Sequence, residues 1–355
     1  MSELTDVFIH DRPLLDVRAP VEFAKGAFPN ATNLPLLNDE QRHEIGICYK
    51  EHGSEAATAL GHKLIDPIRA EKVAGWTAFI EANPDALLYC FRGGQRSQIT
   101  EQWLKEAGVT IPRIAGGYKA MRQSLLDVFD NLPPITLISG KTGVGKTELL
   151  IRYENNVDLE GLANHRGSAF GKTRTTQPAQ IDFENQLAIE ILKQARSIVL
   201  EDESRLIGKV SLPLPLQEAM RNAPILLLRD TIDNRVQRIS RQYVFDQLHE
   251  ITGPDPIAQL ESEFLEALAA IQKRLGGDRY LLAKQLMLDA FKAHRQGDSD
   301  GHGLWIEMLL TQYYDPMYEY QLEKKEGRIQ RVVDWQDVGN DEPLLNLGPD
   351  SCQVL

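Results

Sequence analysis

Two short stretches carry residues whose types and order could do chemistry. In YCFRGGQRS, residues 89–97, Cys90 stands ahead of Gly93 and Gly94 and beside Arg92 and Arg96. A thiol at the end of an apolar run, followed by a glycine turn and a helix starting near Ser97, meets backbone N–H groups and the positive end of a helix dipole. Two guanidinium groups add to a setting that favours the thiolate. The glycines let several amides converge on one anion. Cys90, Arg92, Gly93, Gly94 and Arg96 are therefore the candidate catalytic set, suited to a sulfur that carries or attacks a negatively charged group. An inert cysteine at a strand end needs neither the glycine pair nor the arginines.

The second stretch, GKTGVGKT at residues 140–147, fits G-x-x-x-x-G-K-[ST] at every fixed position, with an apolar strand pattern before it and a helix pattern after. Gly140, Gly143, Val144, Gly145, Lys146 and Thr147 form the expected diphosphate cradle: amides wrap the anion, Lys146 neutralises its outer oxygens, and the Thr147 hydroxyl can ligate Mg²⁺. SIVLEDES, residues 197–204, ends a buried-strand pattern in acid, so Glu201 or Asp202 is the expected metal-associated carboxylate, and Asp202 with Thr147 is taken as the Mg²⁺ pair. No [NT]-K-x-D guanine-reading motif occurs, which disfavours a GTPase. DLEGLANHRGSAFG, residues 158–171, supplies His165, Arg166, Gly167 and Ser168 as an acceptor or second anion site. A surface loop with an incidental His-Arg pair is the plainer alternative.

Two α/β units must position these loops. Apolar runs at 13–19, 86–91 and 110–117 alternate with helical patterns, as in a parallel sheet, up to Pro133-Pro134. Further buried-strand patterns at 135–140, 197–203 and 223–230 belong to a sheet covered on both faces. The divisions expected are 1–132, 133–230 as a P-loop α/β domain, 231–330 as a helical extension packed on it, and 331–355 as a tail. The length of 355 residues agrees with two domains at roughly 150 residues each. Three scattered cysteines, Cys48, Cys90 and Cys352, make neither a disulfide framework nor a zinc site. The start lacks a signal-peptide pattern and no apolar run reaches a membrane span, so a cytoplasmic protein with no membrane partner is expected. The ending SCQVL departs from a prenylation box at Gln353.

With Asp16, Arg18, Glu22, Gly26 and Ala31 in LLDVRAPVEFAKGAFPNATNLP, the cysteine loop, and AGGYKAM at 115–121, residues 1–130 resemble a rhodanese domain, in which the loop cysteine carries a persulfide. One departure stands out: Arg96 lies six residues after Cys90, where small sulfurtransferases of that family place the arginine five after, so simple thiosulfate-type transfer is not expected. Joined in this order to GKTGVGKTELL and DLEGLANHRGSAFG, nearly the whole chain resembles the tRNA 2-selenouridine synthase family. The resemblance implies a rhodanese-like domain followed by a P-loop NTPase-like α/β domain with a helical C-terminal part. It also implies an enzyme that replaces the sulfur of a wobble 2-thiouridine with selenium. Selenophosphate is then the donor, and a geranyl group from geranyl diphosphate is attached to the same sulfur.

The implied partner is a tRNA anticodon arm carrying 2-thiouridine, with the selenophosphate-producing enzyme as a second expected partner. A formal charge of −12 opposes non-specific polyanion binding. The tRNA footprint is therefore expected on local cations: Arg235, Arg238 and Arg241, spaced to share one helix face, with Lys273, Arg274, Arg279, Lys284, Lys292 and Arg295 beyond. Tyr313, Tyr314, Tyr318 and Tyr320 could stack on bases or fill a helix core. The competing function is an ATP-dependent tRNA thiouridylase or kinase-like enzyme with a persulfide-carrying rhodanese domain.

Overall fold

β1 (Leu14–Asp16), β2 (Ala31–Asn33) and β3 (Leu87–Tyr89) form a parallel sheet of order β2-β1-β3. These strands belong to a computed structural model that describes residues 3–194 and 196–338. β1 and β3 are wholly buried: their residues are apolar apart from Asp16, whose buried charge pairs with Arg18, as a helix-covered parallel sheet demands. Residues 110–117, expected to form a strand, make only one parallel bridge, between Arg113 and Leu88. Pro112 has no N–H to extend a ladder. The paired neighbour is instead β2, whose half-polar ATN carries no alternation signal.

The chain folds into two compact units. The first is Met1–Asn131 together with Ala179–Lys193. The helix Gln180–Lys193 therefore belongs with the N-terminal unit, a correction to its assignment to the P-loop segment. Asp182 accepts from the Ala27 N–H at 2.8 Å, Asn185 donates to the Ala27 carbonyl at 2.8 Å, and Arg122 donates to Asn185 at 2.9 Å. Gly26 leaves room for Ile181, whose Cγ2 would stand 2.5 Å from an added Cβ.

The second unit, Leu132–Pro178 with Gln194 onward, holds a parallel sheet of order β5-β4-β8-β9, where β4 is Ile135–Ser139, β5 Ile198–Glu201, β8 Ile225–Arg229 and β9 Ile329–Asp334. A small hairpin, β6 (Leu206–Ile207) and β7 (Val210–Ser211), lies between. β9 pairs with β8 along its length, so residues 329–334 are an edge strand and not the start of a tail. Its exposed positions are polar or half-covered, so it lacks the apolar signature of the inner strands. Residues 339–355, with Cys352, lie outside the described residues. Helices between Ile232 and Glu323 pack around Phe264, Leu268, Met287, Phe291 and Trp305. Among the described residues no helix is long and apolar enough to cross a membrane.

Candidate functional sites: a cysteine loop and a phosphate loop

β3 delivers Cys90 to a loop that turns at Gly93 and enters the helix Gln95–Glu106. Cys90 is 3% exposed, and its Sγ lies 3.2 Å from the Ser97 Oγ in the first helical turn. No side chain caps that turn, so its leading N–H groups keep their capacity for an anion. Gly93 has φ 65°, and a Cβ there would stand 2.9 Å from the Gly116 N. Gly117, at φ 56°, leaves room for the Cys90 carbonyl, which accepts from the Tyr118 N–H at 2.9 Å. AGGYKAM is thus the clamp behind the loop. Arg92 is exposed, its guanidinium 5.9 Å from the Phe91 ring centroid.

Arg96 turns to Glu22, which also takes Arg42. Burial works against the Glu22 charge, but the Arg96 contact outweighs it and holds the carboxyl below its usual range. Arg113, unsignalled in the sequence, donates to the Gly93 carbonyl at 2.7 Å and braces the turn. Asp16 and Arg18 form a buried pair at the end of β1, with the Arg18 guanidinium 3.9 Å from the Tyr118 ring centroid. Their matching positions hold the scaffold.

In the second unit, β4 leads into the phosphate loop. Gly143 and Gly145 adopt φ 77° and 93°, and a Cβ on Gly140 would stand 2.7 Å from the Leu228 carbonyl oxygen. Val144, 1% exposed, anchors the loop among Ile138, Leu149 and Leu226. The loop lines a cavity of about 910 Å³, and His165, Arg166, Gly167 and Ser168 line the same cavity. The structure thus brings together two segments that the sequence places about twenty residues apart. The Ser168 hydroxyl meets the Tyr243 hydroxyl at 3.2 Å, and Arg166 donates to the Gln242 carbonyl at 2.7 Å. Burial lowers the His165 pKa, and its Nδ1 is buried without a partner. Tyr314 and Tyr318 line the cavity, whereas Tyr313 is in the core and Tyr320 is exposed.

Lys146 faces carboxylates from two directions. Burial opposes its charge, but Glu203, Glu160 and Glu201 together raise its pKa. Glu160 and Glu203 carry no motif signal of their own, although they stand within DLEGLANHRGSAFG and SIVLEDES. Their oxygens close on Gly167, where a Cβ would come within 2.4 Å of Glu160 Oε1 and 2.9 Å of Glu203 Oε2. Asp202, expected beside Thr147, instead accepts from Ser139 at 2.5 Å and from Lys325 at 2.7 Å. The carboxylate at Thr147 is Glu201, which accepts from its hydroxyl at 2.5 Å. Successive residues at a strand end point opposite ways, so Glu201 meets Thr147 while Asp202 lines the cavity beside Lys325. Glu201 Oε2 is buried without a partner, an orphaned oxygen that suits a hydrated Mg²⁺ shared with a diphosphate.

Burial, then the charges of Glu201 and Glu203, push Glu160 up to about 9, and burial pushes Glu201 up to about 7 against its Thr147 hydrogen bond. Both acids bind their proton more tightly folded than unfolded. Their contribution to stability is full below the ordinary carboxylate range and is lost as pH rises through the folded values. The ligand-free protein is expected to lose unfolding free energy as pH rises from that range to about 9, and Glu160→Gln to flatten the upper part of the loss. Denaturant unfolding at a series of pH values checks this; an unchanged slope in the variant would contradict it.

The expected arginine stripe is corrected by burial. Arg235, 3% exposed, makes a bidentate pair with Asp315 at 2.6 and 2.9 Å and donates to the Thr142 carbonyl at 2.9 Å. Arg238, 9% exposed, binds Glu148, Asp230 and the Gly143 carbonyl, the last at 2.6 Å. Their face of the helix Ile232–Ile239 points at the phosphate loop and braces it, so neither is available to tRNA. Arg241 remains exposed and pairs with Glu148 at 2.7 Å.

Both loops lie in regions that match known families. Residues 133–341 match the family described as "tRNA 2-selenouridine synthase AAA domain", and residues 2–124 match the "Rhodanese-like domain" family. The chain is 49% identical over 351 residues to the tRNA 2-selenouridine synthase of Pseudomonas fluorescens (strain Pf0-1), covering 95% of this chain and 96% of the relative. It is 50% identical to that of Ectopseudomonas mendocina (strain ymp), covering 95% and 94%. It is 49% identical to that of Bordetella bronchiseptica (strain ATCC BAA-588 / NCTC 13252 / RB50), covering 94% of each. A rhodanese-like unit with an intact cysteine loop, followed by a complete phosphate loop, in a chain matched end to end by such relatives, places it in the tRNA 2-selenouridine synthase family.

Proposed function

We propose that the enzyme converts wobble 2-thiouridine in tRNA to 2-selenouridine through an S-geranyl-2-thiouridine intermediate. Geranyl diphosphate is the donor on the phosphate loop and selenophosphate supplies selenium at the Cys90 loop. The observation that carries this reading is the single cavity shared by the phosphate loop and the His165–Ser168 segment, which gives a diphosphate and an acceptor a common enclosure. In the first step the thiouridine sulfur bonds to C1 of the geranyl group, and the C1–O bond breaks with its electron pair leaving on diphosphate. Lys146 and the loop amides meet that growing charge. The thiouridine N3–H proton must be lost, and His165, neutral and facing the cavity, is placed to take it.

Thr147 and Glu201 would hold a Mg²⁺ ion, which neutralises the leaving diphosphate. Alkylation turns the sulfur into a better leaving group; the selenium of selenophosphate then bonds to uridine C2 while geranyl thiolate departs, and attack of water on phosphorus breaks the P–Se bond, releasing phosphate and leaving 2-selenouridine. Cys90 and the amides of Gly93 and Gly94 handle the selenium species. A cytoplasmic setting and supply from a selenophosphate-producing enzyme accompany this reading. The test is a mass spectrum of wobble nucleosides from cells with and without the gene. Selenouridine present in both would sink the proposal, and accumulation of 2-thiouridine in the deletion supports it.

For tRNA, the supporting cations are Arg241 and Arg274, both exposed and both lining the phosphate cavity. Arg274→Glu is expected to weaken tRNA binding and reduce the log–log salt slope by about one unit per lost phosphate contact. Binding titrations at several salt concentrations measure this, and an unchanged slope would remove Arg274 from the footprint.

A further inference from the structure

A groove of about 430 Å³ adjoins the phosphate cavity, lined by Glu148, Asn234, Gln237, Arg238, Arg241 and Trp335. Glu148, Arg238 and Arg241 line both spaces, so these three side chains stand between the two. Asn234, Gln237 and Arg241 follow at spacings of three and four along the helix Ile232–Ile239 and the π-helical turn Ser240–Phe245 that continues it, which sets them on one face. All three are exposed. The aromatic wall is Trp335, at the start of the turn Trp335–Asp337 that follows β9. The Val338 N–H donates to the Trp335 carbonyl at 3.1 Å, and Arg152 donates to the Val338 carbonyl at 2.5 Å, so the turn is tied down at both ends. The ring sits against the phosphate loop: a Cβ on Gly145 would come within 2.9 Å of Trp335 Cζ3, and the Arg238 guanidinium lies 4.6 Å from the ring centroid.

The charges around the groove are already matched. Glu148 accepts from Arg238 at 3.0 Å, from Arg241 at 2.7 Å and from Gln242 at 3.2 Å, and Arg238 also binds Asp230 at 3.0 Å. What these pairs leave for a ligand is a flat indole and two neutral carboxamides, which both donate and accept. The Asn234 amide nitrogen donates to Asp230 at 2.7 Å, which keeps its oxygen for an incoming donor. A free phosphate in the groove would meet the Glu148 carboxylate, and a hydrocarbon would strip water from the amides. A planar neutral ring with donors and acceptors along its edge suits both walls, which is the way unstacked nucleobases are held. We propose that the groove holds one nucleobase, that of the tRNA nucleotide next to the wobble uridine, with its ring against Trp335 and its edge toward Asn234 and Gln237. Arg241, between the two spaces, then meets the phosphate that joins the two nucleotides. The assignment rests on the reading of the phosphate cavity as the place of the acceptor uridine. It adds a site that selects the tRNA by a base that does not react.

The test is equilibrium binding of the full-length protein to anticodon stem-loops with 2-thiouridine at the wobble position, either intact or with an abasic nucleotide on one side of it or the other. Wild type is expected to lose about tenfold in affinity for one of the two abasic stem-loops. Trp335→Ala is expected to lose about as much on the intact stem-loop and to bind intact and abasic forms alike, because the two changes delete the same contact. Binding of inorganic diphosphate with Mg²⁺ reports an intact phosphate loop. Where Trp335→Ala loses it, the exposed Gln237→Ala takes its place and is expected to lower the intact-to-abasic ratio severalfold. If neither abasic site weakens wild-type binding, or if the variant keeps the wild-type ratio, the groove holds no base and this proposal is wrong while the acceptor reading stands. If ATP binds with an affinity that Trp335→Ala abolishes and the stem-loop ratio is unchanged, the base belongs to a free nucleotide and the tRNA assignment is overturned. If wild type binds the 2-thiouridine stem-loop no better than a hairpin of unrelated sequence, the wobble-uridine reading itself fails and the groove assignment falls with it.

Discussion

Lys146→Ala is expected to slow geranyl transfer by roughly 10²- to 10³-fold while weakening ground-state binding of geranyl diphosphate far less. Charge on the bridging oxygen grows only as the C1–O bond breaks, so a cation aimed there stabilises the transition state more than the bound substrate. The surroundings of Lys146 sharpen the expectation. Glu160, Glu201 and Glu203 raise its pKa, so it stays charged across the working range. Single-turnover rates compared with equilibrium Kd values separate the two effects, and a loss confined to Kd would contradict the assignment. Selenium exchange on tRNA that already carries the geranyl group is expected to survive the substitution, because no diphosphate departs in that step.

Cys90→Ala is expected to reduce selenouridine formation to background while geranylated tRNA accumulates. The thiol sits at the end of β3 against the first turn of the helix Gln95–Glu106, 3.2 Å from Ser97 Oγ, within a loop pinned by Arg113 and by the Gly116-Gly117 clamp. Among the described residues no other cysteine occupies a comparable place: Cys48 lies in the helix Asp39–Ile65, and Cys48→Ala is expected to be near neutral. Nucleoside mass spectrometry of tRNA incubated with both substrates reads the two products together. Normal selenium incorporation by Cys90→Ala would exclude the thiol from the chemistry. Loss of both products would mean that the substitution unfolds the loop, which Cys90→Ser then distinguishes.

What the sequence by itself determined is local. The cysteine loop and the phosphate loop were legible because each is one contiguous stretch whose glycines answer to backbone conformation, as the positive φ of Gly93, Gly143 and Gly145 bears out. The inner strands were legible because burial on both faces requires an unbroken apolar run. The tertiary structure decided what depends on direction and on partners distant in the chain. Periodicity put Arg235 and Arg238 on one face but not which way it points, and Asp315, eighty residues from Arg235, decided that by binding it. The choice between Glu201 and Asp202 turned on strand orientation against Thr147, and Lys325 took the other acid. Edge strands β2 and β9 lack an apolar signature because their exposed residues need not be apolar. The helix Gln180–Lys193 joined the N-terminal unit through Ala27, Gly26 and Arg122, contacts spanning 62 to 158 residues of sequence for the polar pairs. Burial and long-range pairing are properties of the folded surface, and no local pattern of residue types encodes which distant surface a given face will meet.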